Sequence, residues 1–153
     1  VFLGGCKTSK EQVAEDTETE ILLVQNTPEI LMVNFSMNAL DSVKIVNSIK
    51  NPGKLRGGFD AISDPGEGDL IISFLNESNV ICFKTIVENP LKKKVEFSET
   101  DDLSKLTAKT FDLDSAYFSI RVQMDACFKQ LRVEKYESEK FKQLGLYQIS
   151  ALF

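Results

Sequence analysis

Over residues 117–124 apolar and polar side chains alternate without a break. Phe118, Ile120, Val122 and Met124 fall on one side, and Ser119, Arg121 and Gln123 on the other. Successive side chains of an extended strand point to opposite faces, so a strict period of two can bury its apolar half only as one face of a sheet. The same period recurs over 31–37, where Leu31, Val33, Phe35 and Met37 oppose Met32, Asn34 and Ser36, and again where Leu131 and Val133 alternate with Gln130, Arg132 and Glu134. It also recurs in shorter form where Val95 and Phe97 alternate with Lys94 and Glu96.

Between these segments the turn chemistry is dense. Asn38-Ala39-Leu40-Asp41 predicts a turn into a second strand carrying Val43, Ile45 and Ile49 inward, which Asn51-Pro52-Gly53 ends. Two near-continuous apolar runs, 69–75 and 80–87, are separated by Asn76-Glu77-Ser78-Asn79, which predicts a hairpin at the centre of a sheet. Leu106, Ala108 and Thr110 suggest a weak strand, and Asp125-Ala126 is expected to turn the 117–124 strand back on itself. Residues 136–145 are charged and read as one or two helical turns, with Phe141 and Leu144 on one side and Gly145 as C-cap. Residues 146–153 regain alternation and read as a last strand. Some seven to nine short strands without a convincing amphipathic helix predict an all-β fold, an antiparallel β-sandwich over residues 29–153.

Composition narrows function mainly by exclusion. A chain of 153 residues, 42% hydrophobic, suits one domain. It contains no histidine, which removes the commonest general base, the Ser-His and Cys-His nucleophile pairs and most zinc sites. A net charge of -5 argues against a general nucleic-acid binder, because phosphate contacts need surplus Lys and Arg. Lys92-Lys93-Lys94 is the one basic run, and a solvated strand end accounts for it.

The first residues speak to location. Leu3-Gly4-Gly5-Cys6 resembles the lipobox of bacterial lipoproteins, in which cleavage after a small-residue pair leaves a lipidated cysteine as the first mature residue. Val1-Phe2-Leu3 reads as the end of an apolar signal-peptide core, and the polar Lys7-Thr8-Ser9-Lys10 follows at once. The resemblance implies that residues 1–5 are a signal-peptide remnant and that Cys6 carries the lipid. Residues 6–28 then form a polar tether, acidic through Glu11, Glu15, Asp16, Glu18 and Glu20, with a flexible reach of about 25 Å. Ile21-Leu22-Leu23-Val24 interrupts it, as a first edge strand or as a clip onto the domain.

With Cys6 assigned to lipid, Cys82 and Cys127 remain. They are either a disulfide, which an exported protein can form, or two small buried hydrophobes.

Asp114-Ser115-Ala116-Tyr117-Phe118 resembles the entry to strand F of immunoglobulin-type sandwiches. Phe118 stands where the corner tyrosine is expected and Ile120 where the cysteine would be, so neither the corner hydrogen bond nor the inter-sheet disulfide carries over. Together with Gly66-Glu67-Gly68-Asp69, the arrangement is similar to Ig-like domains of lipoproteins from the Bacteroidetes. Asp41-Ser42-Val43 and Asp114-Ser115-Ala116 resemble the O-glycosylation site of exported Bacteroidetes proteins, which implies glycans on Ser42 and Ser115.

Three further constellations are candidates, each with a plainer explanation. Asp64, Glu67 and Asp69 could collect a hard cation, although acidic glycine turns are usually only turns. Asp112 with Asp114, or Asp101 with Asp102, supplies paired carboxylates of the kind glycoside hydrolysis uses, or simply solvated loop charge. Tyr117, Tyr136 and Tyr147 could form a sugar-stacking face, or fill strand ends.

The expectation is an exported protein, lipid-anchored in the bacterial envelope at the outer membrane on its periplasmic or surface face. It would bind or scaffold an envelope protein or a glycan, with no catalysis, cofactor, metal or nucleic acid. The alternatives are an accessory domain of a truncated secreted enzyme, and a periplasmic lipid carrier.

Overall fold

The computed structural model describes residues 27–56, 64–98 and 106–153. Cys6, the tether up to residue 26, Asp101 and Asp102 lie outside the described residues. Nine strands follow in order: β1 (Glu29–Asn38), β2 (Val43–Pro52), β3 (Leu70–Leu75), β4 (Ile81–Val87), β5 (Lys92–Ser98), β6 (Leu106–Asp112), β7 (Ser115–Gln123), β8 (Gln130–Glu137) and β9 (Lys140–Gln148). A single 3-10 turn, Ile149–Leu152, follows β9.

All pairings are antiparallel, in sheets ordered β2-β1-β7, β4-β3-β8-β9 and β5-β6. The three- and four-stranded sheets bury their alternating faces against one another. Leu31, Val33, Phe35 and Met37 of β1, with Ile120 and Val122 of β7, meet Leu70, Ile72 and Phe74 of β3 and Leu131 and Val133 of β8. The period of two read from residues 31–37, 117–124 and 130–134 is therefore the inner surface of a β-sandwich. Phe35 stacks on Phe118 with ring centroids 4.8 Å apart, and Phe74 on Phe128 at 4.4 Å. Burial of these side chains, each contributing roughly 1.5–3 kcal/mol, is what closes the two sheets.

Several local expectations are corrected. Ile49 does not face inward. The register between β1 and β2 shifts at Asn34/Phe35, leaving Val46 as an extra residue, and that bulge reverses the phase so Ser48 turns in and Ile49 out. The hairpin of β3 and β4 forms at Asn76, whose Oδ1 accepts from the amides of Ser78 and Val80 at 2.9 and 3.0 Å. Only β3 is central, however. β4 is an edge strand and leaves Ile81 exposed.

Residues 136–145 are not helical. β8 and β9 form a hairpin across Ser138 and Glu139, whose φ values of 51° and 59° are those of a tight type I′ turn. Such turns usually carry glycine or asparagine. Here the Glu67 carboxylate accepts from the Ser138 amide at 3.0 Å and holds the turn from outside. Residues 149–153 do not extend β9; the chain leaves it in the 3-10 turn, and Ser48 Oγ donates to the carbonyl of Leu152.

The 117–124 strand does not fold back on its successor. After β7 the chain crosses to the other sheet, and Asp125 caps the crossing by accepting from the Cys127 amide at 2.8 Å. Phe128 enters the core from this crossover. The segment resembling the entry to an F strand thus leads into β7, beside β1, whereas β8 occupies the position between β3 and β9. In immunoglobulin domains the second strand lies between the first and the fifth. Here the first strand among the described residues, β1, holds the middle of its sheet.

Candidate functional site

The structure separates most of the residues singled out in the sequence. Asp69 accepts from the Gly66 amide at 2.7 Å and from the Asn89 amide at 3.0 Å, and Glu67 is committed to Ser138. These carboxylates brace turns. No group of three or more potential metal ligands occurs among the described residues. Asp112 ends β6 opposite Lys92, while Asp114 lies in the connection to β7, where its carbonyl accepts from the Ala39 amide at 2.9 Å.

The tyrosines do not share a face. Tyr117 is 80% exposed on the outer side of β7, and Tyr136 packs against Phe141 on the outer side of β8, their centroids 5.3 Å apart. Tyr147 turns inward, opposite Leu131, and donates its hydroxyl to the Val43 carbonyl at 2.9 Å. Ser42 and Ser115 are both exposed, and they come together. Ser115 pairs with Asn38, whose side chain accepts from the Ser42 amide at 3.1 Å, so both hydroxyls sit at one end of the three-stranded sheet.

Cys82 and Cys127 form a disulfide, their Cα atoms 6.3 Å apart. It ties edge strand β4 to the crossover between β7 and β8, closing that side of the sandwich. The β5-β6 ribbon, a separate two-stranded sheet, lies between β4 and β7 in the chain. Its base is pinned where the Leu113 amide donates to the Leu91 carbonyl at 2.8 Å, and every residue of β6 is exposed. Lys92, Lys93 and Lys94 lie along β5 and are solvated, as a strand-end run should be.

The opposite side is built differently. β2 and β9 are edge strands of the two sheets and lie beside each other, flanking an open groove of about 860 Å³. Val43, Ile45, Leu146, Tyr147 and Leu152 supply its apolar lining; Lys44, Asn47 and Ser48 add polar groups. Among the described residues each strand pairs on one side only, so its other row of backbone donors and acceptors is not used by these sheets. Burial beside Val43 pushes the Tyr147 hydroxyl above its ordinary pKa, which keeps it a neutral donor.

At one end of this side, an ionic staple joins the sheets. Lys135 of β8 and Lys142 of β9 donate to the two oxygens of Asp41, in the β1-β2 turn, at 2.9 and 2.7 Å. Burial alone would raise the Asp41 carboxyl, but the two ammonium groups outweigh it and hold it below the usual range. Lys135 is raised, first by its bond to Asp41, against the opposing effect of burial.

A second cleft, of about 440 Å³, opens on the outer face of the four-stranded sheet and includes Ser73, Lys84, Arg132, Glu134 and Phe141. In the sequence Ser73 reads as part of an apolar run and Arg132 as a polar position alternating with Leu131 and Val133. The usable signal was the lone hydroxyl in Leu70-Ile71-Ile72-Ser73-Phe74-Leu75. No protein-family model, no curated protein and no solved structure matches the chain.

Proposed function

We propose that this is a lipid-anchored protein of the bacterial envelope whose β-sandwich binds or scaffolds a partner without catalysis of its own. The observation that carries the binding half of this reading is the groove between β2 and β9, where two strands that each pair on one side only among the described residues flank an apolar floor. An extended segment of a partner can add to such an edge through main-chain hydrogen bonds, with alternate side chains lodged in the groove. The lipobox resemblance at Leu3-Gly4-Gly5-Cys6 supports the anchoring half, with the lipid on Cys6 embedded in the membrane and an envelope protein or glycan as partner. A lipid carrier would need an apolar space between the sheets, and the stacked pairs Phe35/Phe118 and Phe74/Phe128 fill that region instead.

The test is a photoreactive residue in place of Lys44, which is exposed and lines the groove. In intact cells it should give one discrete adduct with an envelope component. Ala151→Arg, which fills the groove from an exposed position, should abolish that adduct. Turnover of an envelope substrate by the purified chain, lost on one point mutation, would contradict the proposal; so would an adduct indifferent to Ala151→Arg.

A further inference from the structure

β3 is buried on both faces. Leu70, Ile72 and Phe74 point into the core, while Ile71, Ser73 and Leu75 point outward and are nevertheless buried, with Ser73 at 0% exposure. Five of these six residues are apolar. The sixth carries a hydroxyl that is enclosed and has no hydrogen-bond partner among the described residues. A buried polar group left unpaired opposes folding, and alanine would fit the same strand without that cost. The residue therefore calls for an explanation outside packing.

The sheet register supplies the surroundings. Ser73 pairs with Lys84 on β4 and with Arg132 on β8, so the three form one row across the outer face, on strands about 4.8 Å apart. Arg132 Nε lies 3.1 Å from Glu134 Oε2, near enough for ion pairing, but its N–H is off the line to that oxygen and finds no hydrogen-bond acceptor among the described residues. Two enclosed donors thus line a cleft of about 440 Å³, within the range of small-molecule sites. Its formal charges balance, Lys84 and Arg132 against Glu134 and Asp64, so a simple anion or cation gains little net attraction. A polyhydroxylated ring can accept from Ser73 and Arg132 while donating to Glu134. Phe141, 57% exposed, adds an apolar plate of the kind against which sugar C–H groups pack.

We infer that the outer face of β3, β4, β8 and β9 holds a carbohydrate site, in which the Ser73 hydroxyl and the Arg132 guanidinium bind the hydroxyls of one neutral sugar residue stacked on Phe141. This deepens the binding reading and uses a surface separate from the β2/β9 groove.

Titration of the 153-residue chain with glucose, galactose, mannose and N-acetylglucosamine, followed by amide shifts and saturation transfer, tests it. At least one of these sugars should shift the amides of Ser73, Lys84 and Arg132. Ser73→Ala should weaken that sugar at least tenfold while leaving the melting temperature unchanged or higher, and Arg132→Gln should weaken it likewise. The inference is overturned if none of the four shifts these amides, if acetate or inorganic phosphate binds there in preference, or if Ser73→Ala binds sugar as tightly as the parent. Because the readout involves neither Cys6 nor the groove, it can fail while anchoring and the Lys44 adduct stand, and the reverse.

Discussion

Asp41→Asn isolates the ionic staple between the sheets. Asp41 has a φ of 59°, a left-handed conformation that asparagine tolerates as well as aspartate, so the turn itself survives the change. What is lost is the charge that two ammonium groups converge on. Lys135 and Asp41 are each only 15% exposed, so their contact is screened little; Lys142 is more open and contributes less. A hydrogen bond to a charged partner is worth about 1.5–3 kcal/mol, which sets the expected cost near 2 kcal/mol and a fall in Tm of roughly 6–8 °C for a chain of this size.

The sign of the pH dependence is fixed by the two shifts. The Asp41 carboxyl is lower in the folded chain than in the unfolded one, so its contribution is complete above the unfolded value of about 3.9 and disappears as pH falls through the folded value. Lys135 is raised, so its contribution is complete below about 10.4 and is lost as pH rises through its folded value. Chemical denaturation of parent and variant across pH should therefore show a constant gap from pH 5 to 9 that narrows at both extremes. A gap that persists undiminished at a pH where the parent carboxyl is protonated would refute the electrostatic account and point to the turn geometry instead.

Other perturbations probe other parts of the fold. Phe35→Ala removes a fully buried ring stacked on Phe118 and should cost about 3–5 kcal/mol by denaturant titration. Replacing Cys82 and Cys127 together by serine frees a loop of 45 residues and should cost about 2–4 kcal/mol, a loss that reduction of the parent should reproduce. Gly68→Ala places a Cβ 2.2 Å from the Asn89 side chain at a φ of +85°, and should cost roughly 1–3 kcal/mol, whereas Gly66→Ala, which meets only Asp69 at 3.3 Å, should cost less.

The sheets were legible because alternation is imposed directly by a half-buried strand: Phe118, Ile120 and Val122, or Leu31, Val33 and Phe35, can share a face in no other way. Departures came where something distant overrode the local pattern. The single inserted residue Val46 inverted the faces of the rest of β2. The Ser138-Glu139 turn, lacking glycine, looked like helix because its support is Glu67, some seventy residues away in the chain. Whether β7 turns back or crosses over depends on which sheet accepts Phe128, and spacing alone does not encode that. The candidate site was hidden for the same reason. Lys84, Ser73 and Arg132 meet only through the registers of two strand pairs, and the β2/β9 groove exists only because two edges far apart in sequence lie side by side.

Cys6 is proposed to hold this sandwich at a membrane. Labelling cells with a radioactive fatty acid, for the natural gene and for its Cys6→Ser variant, and following both through detergent phase separation tests it most directly. The parent should carry label and enter the detergent phase, and the variant should be unlabelled and aqueous. An unlabelled parent, or a variant that partitions as the parent does, would contradict it.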